Sequence, residues 1–331
     1  MTTRYSVVIP TYKRAADLEQ TLGSLAGLTP SASWEVIVVD NNSPDATRQI
    51  VEAARSRFPA PLRYVFEGEQ GRSAAMNAGI LAATGEIIAT TDDDVRVPPD
   101  WLDTCGSALA TLDCDYVGGR VMPLFEGPLP SWLPTRHSKH WGVLAILDYG
   151  TEPIQFGEKV PLGVNMAFRR EAFEQAGLWN NRIGRKAGTL LGQEVREWMI
   201  RARRVGLRGF YAPAMVVSHV VPAARLTKRY FRSWFYWHGV SRAMLYRETG
   251  ANMENPEDTA IDFTTVPHIA GVPRYMYRSA LKAVARSVAA GVRRDPIAHF
   301  EYELWGWFFA GIARQRWGDS AMHRALPDGR Q

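Results

Sequence analysis

The sequence is short of the residues that build several classes of protein. It has two cysteines, Cys105 and Cys114, among 331 residues, which excludes a disulfide scaffold and a paired-cysteine zinc site. Neither the glycine fingerprint of dinucleotide-binding folds nor a P-loop occurs. No apolar run reaches the ~18 residues of a membrane-spanning helix, and the first apolar run is too short for a signal peptide. We therefore predict a cytoplasmic chain with reduced thiols.

Charge is spread unevenly along the chain. The net charge of +5 is too small to predict a nucleic-acid partner, and we expect none. Residues 1–219 carry 23 Lys and Arg against 24 Asp and Glu, a net charge of −1. Residues 220–331 carry 16 against 10, a net charge of +6. The basic character therefore belongs to the last third of a chain whose 46% hydrophobic content is typical of a folded protein.

Apolar strands alternate with helical segments over the first ~95 residues, a pattern typical of a parallel sheet covered on both faces. The predicted strands are Tyr5–Ile9, Glu35–Asp40, Leu62–Phe66 and Glu86–Thr90. Ligands of such sheets bind beyond the carboxyl ends of the strands. The polar segments at these ends are Pro10–Lys13, Asp40–Ser43 and Asp92–Asp94. We therefore expect the functional site at this edge.

Three consecutive carboxylates, Asp92–Asp94, directly follow a buried strand. Their like charges oppose folding unless a cation is present, and hard oxygen ligands suit Mg or Mn bridging a diphosphate. A solvated acidic turn is the alternative, and the position at a strand end favours the metal. Asp40 also ends a strand, where it can cap a helix or accept a hydrogen bond from a nucleotide base or ribose.

Four segments together carry a resemblance to a known family. They are Val8-Ile9-Pro10-Thr11-Tyr12 with Arg14, Val38-Val39-Asp40-Asn41-Asn42-Ser43, Gly71-Arg72-Ser73-Ala74-Ala75-Met76-Asn77-Ala78-Gly79 and Asp92-Asp93-Asp94. In this order they resemble family 2 of the inverting glycosyltransferases, which have the GT-A fold. The resemblance covers about residues 4–220 and implies an α/β GT-A domain over residues 1–220 with a mostly parallel central sheet. Residues 221–331 form a basic, aromatic-rich helical extension.

The resemblance implies a set of residues that bind the nucleotide-sugar. They are Pro10, Thr11 and Tyr12 lining the base pocket, Arg14 in the same motif, Asp40 at the base edge, Arg72 at the diphosphate with Asn77 in its motif, Asp92 at the ribose, Asp93 at the sugar, and Asn165 near the sugar on the acceptor side. Tyr12 would pack on a uracil or thymine ring. For Arg72, a surface cation at a helix start is the alternative interpretation.

The resemblance also implies a metal site and a base. Asp94 and His219 would bind Mg or Mn, although a lone histidine is more often structural. His137 and His140 have the spacing of metal ligands, but no further candidate ligand accompanies them in the sequence. We therefore interpret them as loop residues. The family commonly has Gly-Glu-Asp at the base, whereas Val195 stands here where the Asp is expected. Glu194 is the predicted base, with Glu197 the alternative unless it pairs with Arg201 one turn further on.

The activity implied is transfer of a sugar from a UDP- or dTDP-sugar to a hydroxyl group, with inversion at the anomeric carbon. The acceptor would be a saccharide or a lipid-linked saccharide in polysaccharide or glycolipid assembly. A nucleotidyltransferase shares the metal–diphosphate chemistry and remains an alternative. So does a non-catalytic, membrane-bound member of the fold, because of Val195.

The basic aromatic extension has two interpretations. Its helices can pack back on the catalytic domain, with arginine stems covering apolar surface. Alternatively they form an in-plane anchor on an anionic membrane, peripheral at the inner face of the plasma membrane. The tryptophans on which the second interpretation rests are Trp234, Trp237, Trp305, Trp307 and Trp317.

Overall fold

The computed structural model describes residues 3–133, 140–157, 159–258, 260 and 262–325. Within them, nine strands form one mixed sheet, which confirms the predicted α/β class. The sheet strands are β1 Tyr5–Thr11, β2 Trp34–Asp40, β3 Leu62–Phe66, β4 Ile87–Thr90, β5 Val95–Arg96, β6 Tyr116–Phe125, β7 Ile154–Gln155, β8 Met166–Arg169 and β9 Gly209–Val221. A separate hairpin joins β10 His268–Ile269 to β11 Val272–Pro273.

Helices cover the sheet and form the C-terminal part of the chain. They are α1 Ala15–Leu25, α2 Thr47–Arg55, α3 Arg72–Ala82, α4 Trp101–Thr111, α5 Arg170–Ala176, α6 Glu194–Arg204, α7 Lys228–Thr249, α8 Arg274–Val292 and α9 Pro296–Ala325. No pattern in the sequence predicts α4. A break separates α8 from α9. Arg294 between them has a φ of 56°, and Pro296 starts α9 as proline commonly starts a helix.

The sheet has the order β3-β2-β1-β4-β8-β6-β9-β5, with β7 paired to β9. Its first four strands are parallel, and all seven residues of β1 are buried. Such strands need apolar residues on both faces, which explains why their sequence shows continuous Val and Ile runs. The parallel register sets Thr11 opposite Asp40, so the polar segments share one edge as predicted.

The second half of the sheet is less regular than the first. β8 is antiparallel to both β4 and β6, and β9 is a single strand of 13 residues. The pairing of β6 with β9 shifts register between Gly119 and Arg120, which face Ala212 and Val216. Pro213 lies in the skipped stretch of β9, and proline, which has no N–H group to donate, is confined in sheets to edges and bulges.

The chain divides into two compact units. The first consists of the described residues of Met1–Glu126, Lys139–Ala187 and Glu194–Pro222. The second consists of the described residues of Gly127–Ser138, Gly188–Gln193 and Ala223–Gln331. The C-terminal unit therefore starts close to residue 221 but also takes in two segments from earlier in the chain.

Aromatic side chains of the C-terminal unit pack largely on one another. Helices α7 and α9 approach closely at Gly239, where a β-carbon would stand 1.9 Å from the Phe308 carbonyl oxygen. Trp132 packs edge-on against Phe231 at 5.0 Å and Phe300 at 5.2 Å between ring centroids. Trp234 and Trp237 on α7 are half-buried. In the part of the chain that the structure describes, no helix combines the length and apolarity needed to cross a membrane.

Candidate functional site

Residues of the three polar segments lie at the carboxyl edge of the parallel strands, with the acidic triplet at their centre. The three carboxylates of the triplet differ in exposure. Asp92 is partly exposed and contacts Arg72, whereas Asp93 and Asp94 are buried. The solvated acidic turn is therefore the wrong interpretation for two of the three residues, because their charges are compensated inside the protein.

Asp93 is held by the first strand and the first helix. Thr11 donates a side-chain hydrogen bond of 2.8 Å to its Oδ2 atom, and Thr21 donates one of 2.7 Å to its backbone carbonyl. Burial raises the pKa of Asp93 to about 7, and Asp94 adds to this, while Arg14 opposes the shift. The predicted place of Asp93 is at the sugar, and in the structure its carboxylate contacts Thr11 and Arg14.

Asp94 is the meeting point of two side chains from distant parts of the sequence. Arg14 Nη1 lies 2.7 Å from Asp94 Oδ2, and His219 Nε2 lies 3.3 Å from the same oxygen. Burial alone would lower the pKa of Arg14, but Asp93 and Asp94 together raise it. The guanidinium therefore stays charged and neutralises the acidic pair.

The Asp94–His219 pair fits a divalent cation in its chemistry. Carboxylate oxygen and imidazole nitrogen are both ligands of Mn²⁺, and the two atoms converge from β9 and the loop after β4. Among the described residues, no group of three or more His, Cys, Asp and Glu is arranged to hold a metal ion. Asp94 and His219 are therefore two candidate ligands for a divalent cation.

Arg72, at the start of α3, bridges two carboxylates. Its Nη2 atom lies 2.7 Å from Asp92 Oδ1, and its Nη1 atom lies 3.4 Å from Glu194 Oε1. Burial opposes its charge, but Asp92 and Glu194 raise its pKa. The interpretation of Arg72 as a surface cation is wrong, because the residue connects the acidic triplet to the helix that carries the predicted base.

The loop before α3 fixes the direction of Arg72. Gly71 has a φ of 151°, a backbone conformation that residues other than glycine rarely adopt. Asn41 accepts a hydrogen bond from the Gly71 amide at 2.7 Å and donates one of 2.7 Å to the Glu69 carbonyl. The sequence analysis gave Asn41 no role. Its position directly after Asp40 at a strand end was the available signal.

The two candidate bases on α6 have different surroundings. Glu197 is held by Arg201, whose Nε and Nη2 atoms lie 2.8 and 2.9 Å from its two carboxylate oxygens. This confirms the ion pair expected from their spacing. Glu194 is also buried, and its Oε2 atom has no hydrogen-bond partner among the residues that the structure describes. Val195 joins the hydrophobic core, which leaves Glu194 as the acid whose carboxylate is not fully engaged.

The residues of the predicted base pocket lie at the ends of β1 and β2. Asp40 accepts hydrogen bonds from the Ser43 amide at 2.9 Å and from the Tyr64 hydroxyl at 2.8 Å. Burial and Asp40 raise the pKa of Tyr64 to about 12. Pro10 is buried within β1, whereas the ring of Tyr12 is partly exposed beneath the Lys13 ammonium at 5.1 Å.

Two asparagines of the predicted donor site are engaged in structural hydrogen bonds. Asn77 bonds the backbone of Trp179 in both directions, at 2.9 Å each. Asn165 is fully buried, accepts from the Trp101 indole at 3.0 Å, and donates to the carbonyls of Arg120 and Met215 at 2.8 and 3.1 Å. It thereby satisfies carbonyls at the register shift between β6 and β9. The structure brings neither amide to the acidic triplet.

The segment directly before Glu194 is hydrogen-bonded to α7 within the C-terminal unit. The Gly192 amide donates to Ser241 Oγ at 3.1 Å, and Gln193 Nε2 lies 3.5 Å from His238 Nδ1. Gln193 has a φ of 116°, which is rare for a residue other than glycine. The predicted base therefore begins a helix whose preceding turn belongs to a different unit of the fold.

The two loop histidines can be placed only in part. His140 is buried and directly precedes a single 3-10 turn at Trp141–Leu144. His137 lies outside the described residues.

Curated relatives of the chain include enzymes of saccharide assembly. The chain is similar to a glucosyl-dolichyl phosphate glucuronosyltransferase of Haloferax volcanii, with 26% identity over 251 residues that cover 73% of this chain and 77% of the relative. It is also similar to the succinoglycan biosynthesis protein ExoM of Rhizobium meliloti, with 27% identity over 241 residues, 70% of this chain and 73% of the relative.

Solved structures share the fold. The mannosyltransferase PcManGT of Pyrobaculum calidifontis, solved in complex with GDP-Man and Mn²⁺, aligns with a TM-score of 0.64 at 19% identity. The alignment covers 96% of this chain and 88% of that one. Residues 6–177 match the family model for glycosyl transferase family 2. This match spans the parallel strands and the acidic triplet, and with the observed fold it shows that the chain is a GT-A glycosyltransferase belonging to glycosyl transferase family 2.

Proposed function

We propose that this protein transfers a sugar from a nucleoside diphosphate donor to a hydroxyl group, with inversion at the anomeric carbon. One observation carries the proposal: Arg72 binds Asp92 of the acidic triplet on one side and lies 3.4 Å from Glu194 on the other. One guanidinium is thus in contact with both the acidic triplet and the predicted base.

The reaction needs one base and one stabiliser of the leaving group. The acceptor oxygen attacks the anomeric carbon while the bond from that carbon to the diphosphate oxygen breaks. Glu194 accepts the acceptor's hydroxyl proton, and its unpartnered Oε2 atom supports this role. Arg72 stabilises the negative charge that develops on the departing diphosphate.

Asp94 and His219 would hold Mg²⁺ or Mn²⁺. When bound, such a cation neutralises charge on the diphosphate. The support from this chain is the convergence of the two ligand atoms at 3.3 Å. Arg14 shares Asp94 Oδ2 with His219, and we propose that it keeps the acidic pair compensated before the donor arrives.

The donor is proposed to be a UDP- or dTDP-sugar. Asp40 offers carboxylate oxygens at the base edge, Asp92 is proposed to contact the ribose and Asp93 to lie next to the sugar. The partly exposed ring of Tyr12 is available for stacking. GDP-mannose belongs in the same test, because PcManGT was solved with it.

The acceptor is proposed to be a saccharide or a lipid-linked saccharide in polysaccharide or glycolipid assembly. Support comes from the names of two relatives, one acting on glucosyl-dolichyl phosphate and one in succinoglycan biosynthesis. We propose a cytoplasmic location with peripheral attachment to the membrane.

A panel of nucleotide-sugars with Mn²⁺ tests the reaction. Thermal shift first identifies the donor, because a ligand that binds only the folded state raises its stability. Incubation with candidate acceptors should then release a nucleoside diphosphate, and NMR of the product should show the inverted anomer. Release of a sugar 1-phosphate, or formation of a nucleoside triphosphate when pyrophosphate is added, would instead assign a nucleotidyltransferase. Donor binding without turnover on any acceptor would favour a non-catalytic member of the fold.

A further inference from the structure

Helix α8 exposes an apolar stripe along its length. Leu281, Val284, Val288 and Val292 are 70, 55, 61 and 79% exposed. At ~100° per residue these positions fall within an arc of about 80° on the helix surface. Buried residues of α8, such as Met276 and Ala283, lie on another face. Single exposed apolar residues are ordinary, but an aligned set on one helix marks an interaction surface.

The charged residues of α8 itself all have one sign. Residues 263–294 contain no Asp or Glu. The basic residues of α8 and its end are Arg274, Arg278, Lys282, Arg286, Arg293 and Arg294. By the same helical spacing, most of them occupy the arc next to the stripe. A second copy that packed α8 against α8 would set these like charges opposite each other, which opposes self-association.

A second apolar surface lies next to the α8 stripe. Tyr277, one helical turn before Leu281, packs its ring against Phe309 of α9 at 5.2 Å. Phe309 lines an open apolar hollow of about 580 Å³ together with Ala310, Ala313, Arg314 and Trp317. Trp317 is 50% exposed, and tryptophan is enriched where apolar and aqueous phases meet.

We infer that the outer face of α8 binds an anionic lipid surface, with the helix lying in the plane of the membrane. The stripe would enter the acyl boundary while the adjacent basic arc contacts the headgroups, as in interfacial amphipathic helices. The observations behind this inference do not depend on the proposed function. The proposed lipid-linked acceptor only explains why binding to a membrane would be useful. The inference also changes the sequence-based prediction, because Trp234 and Trp237 are half-buried on α7 and the principal contact shifts to aliphatic residues of α8.

Vesicle co-sedimentation of the full chain tests the inference. The probes are vesicles of phosphatidylcholine alone and of phosphatidylcholine mixed with phosphatidylglycerol, each at low and high salt. We expect the protein to pellet with the anionic vesicles at low salt and several-fold less at high salt, because salt screens the exposed charges. Leu281→Asp with Val288→Asp should reduce pelleting several-fold. Arg278→Gln with Lys282→Gln should reduce the preference for the anionic vesicles.

The matched control is Leu81→Asp with Val205→Asp, which makes the same charge change at exposed apolar residues of the N-terminal unit. It should pellet like the wild type. Recovery of the wild type in the supernatant with both kinds of vesicle would overturn the inference. Pelleting of the Leu281→Asp, Val288→Asp variant to the same extent as the wild type would overturn it as well. If the wild type is a dimer in the absence of vesicles and the Leu281→Asp, Val288→Asp variant is a monomer, the stripe would be assigned to a second copy of the chain instead. The assay needs no turnover, so Glu194→Gln should pellet normally even if the proposed reaction fails.

Discussion

The guanidinium of Arg72 lies 3.4 Å from the carboxylate of Glu194, although 122 positions separate the two residues in the sequence. The same guanidinium binds Asp92 at 2.7 Å. Charge at the acidic triplet and charge at the predicted base are therefore coupled through one side chain. A negatively charged donor that draws Arg72 toward its diphosphate would weaken the contact with Glu194.

The two acids of α6 should separate by function. Glu194→Gln keeps the size of the side chain but cannot accept a proton, so we expect turnover to fall about 100-fold or more with little change in donor affinity. Glu197→Gln breaks the paired contact with Arg201 and should lower the free energy of unfolding by about 1–3 kcal/mol. Steady-state kinetics and chemical denaturation measure both. The opposite assignment of the two effects would make Glu197 the base.

The prediction that Asp94 binds the metal has a matched control in Asp17, because both carboxylates contact Arg14. Arg14 binds both Asp94 and Asp17, at 2.7 and 2.9 Å. Asp94→Ala should abolish the Mn²⁺-dependent part of nucleoside diphosphate binding, because it removes one of the two proposed ligands. Asp17→Ala should leave that part in place. Calorimetry with and without Mn²⁺ decides, and an unchanged Mn²⁺ dependence in Asp94→Ala would exclude this residue as a ligand.

A buried acid outside the site predicts a pH effect on stability. Glu35 Oε1 accepts hydrogen bonds from Ser6 at 2.7 Å and from the Thr84 amide at 2.7 Å. Burial raises the pKa of Glu35, but these hydrogen bonds and those from the Thr84 hydroxyl and Arg63 outweigh it and leave the pKa below 4.5. Since the folded-state pKa is lowered, the stabilisation is present above the unfolded-state pKa and is lost as the pH falls through the folded value.

Glu35→Gln should therefore be destabilised relative to the wild type at neutral pH, and the difference should shrink as the pH falls below 4.5. Urea denaturation across this pH range measures the change. The exposed Glu19→Gln should show no such trend. A constant difference at every pH would mean that the charge of Glu35 contributes nothing and that only packing is affected.

Two glycines of the C-terminal unit make a paired test of helix packing. Gly239 of α7 has the Phe308 carbonyl where a β-carbon would stand, while Gly306 of α9 has open space there. Gly239→Ala should lower the free energy of unfolding by about 1–3 kcal/mol. Gly306→Ala should raise it by up to about 1 kcal/mol, because alanine favours the helix. Guanidinium denaturation compares them, and equal effects would contradict the close approach of α7 and α9.

Sequence patterns predicted the regular half of the fold and missed parts of the rest. The strands β1, β2 and β4 were recognisable because a strand buried on both faces needs an unbroken apolar run. Helix α4 was missed because its sequence mixes small, polar and apolar residues. The single long strand β9 was missed because Pro213 interrupts its pattern. Asn165 was placed near the sugar by the resemblance. Its buried hydrogen bonds join residues 101, 120 and 215, which no local pattern reveals.

The chemistry available to this protein follows from local sequence: an acidic triplet at a strand end, an arginine opening a helix, an acid pair one turn apart and a basic C-terminal third. Each of these is local, because it depends on neighbours within a few positions. The folded chain alone reveals that Glu194 rather than Glu197 has an unpartnered oxygen among the described residues, that Arg14 and His219 meet at Asp94, and which side of α8 is left uncovered. Those outcomes depend on side chains from distant segments competing for the same space and the same charges, and the competition is settled only when the chain packs.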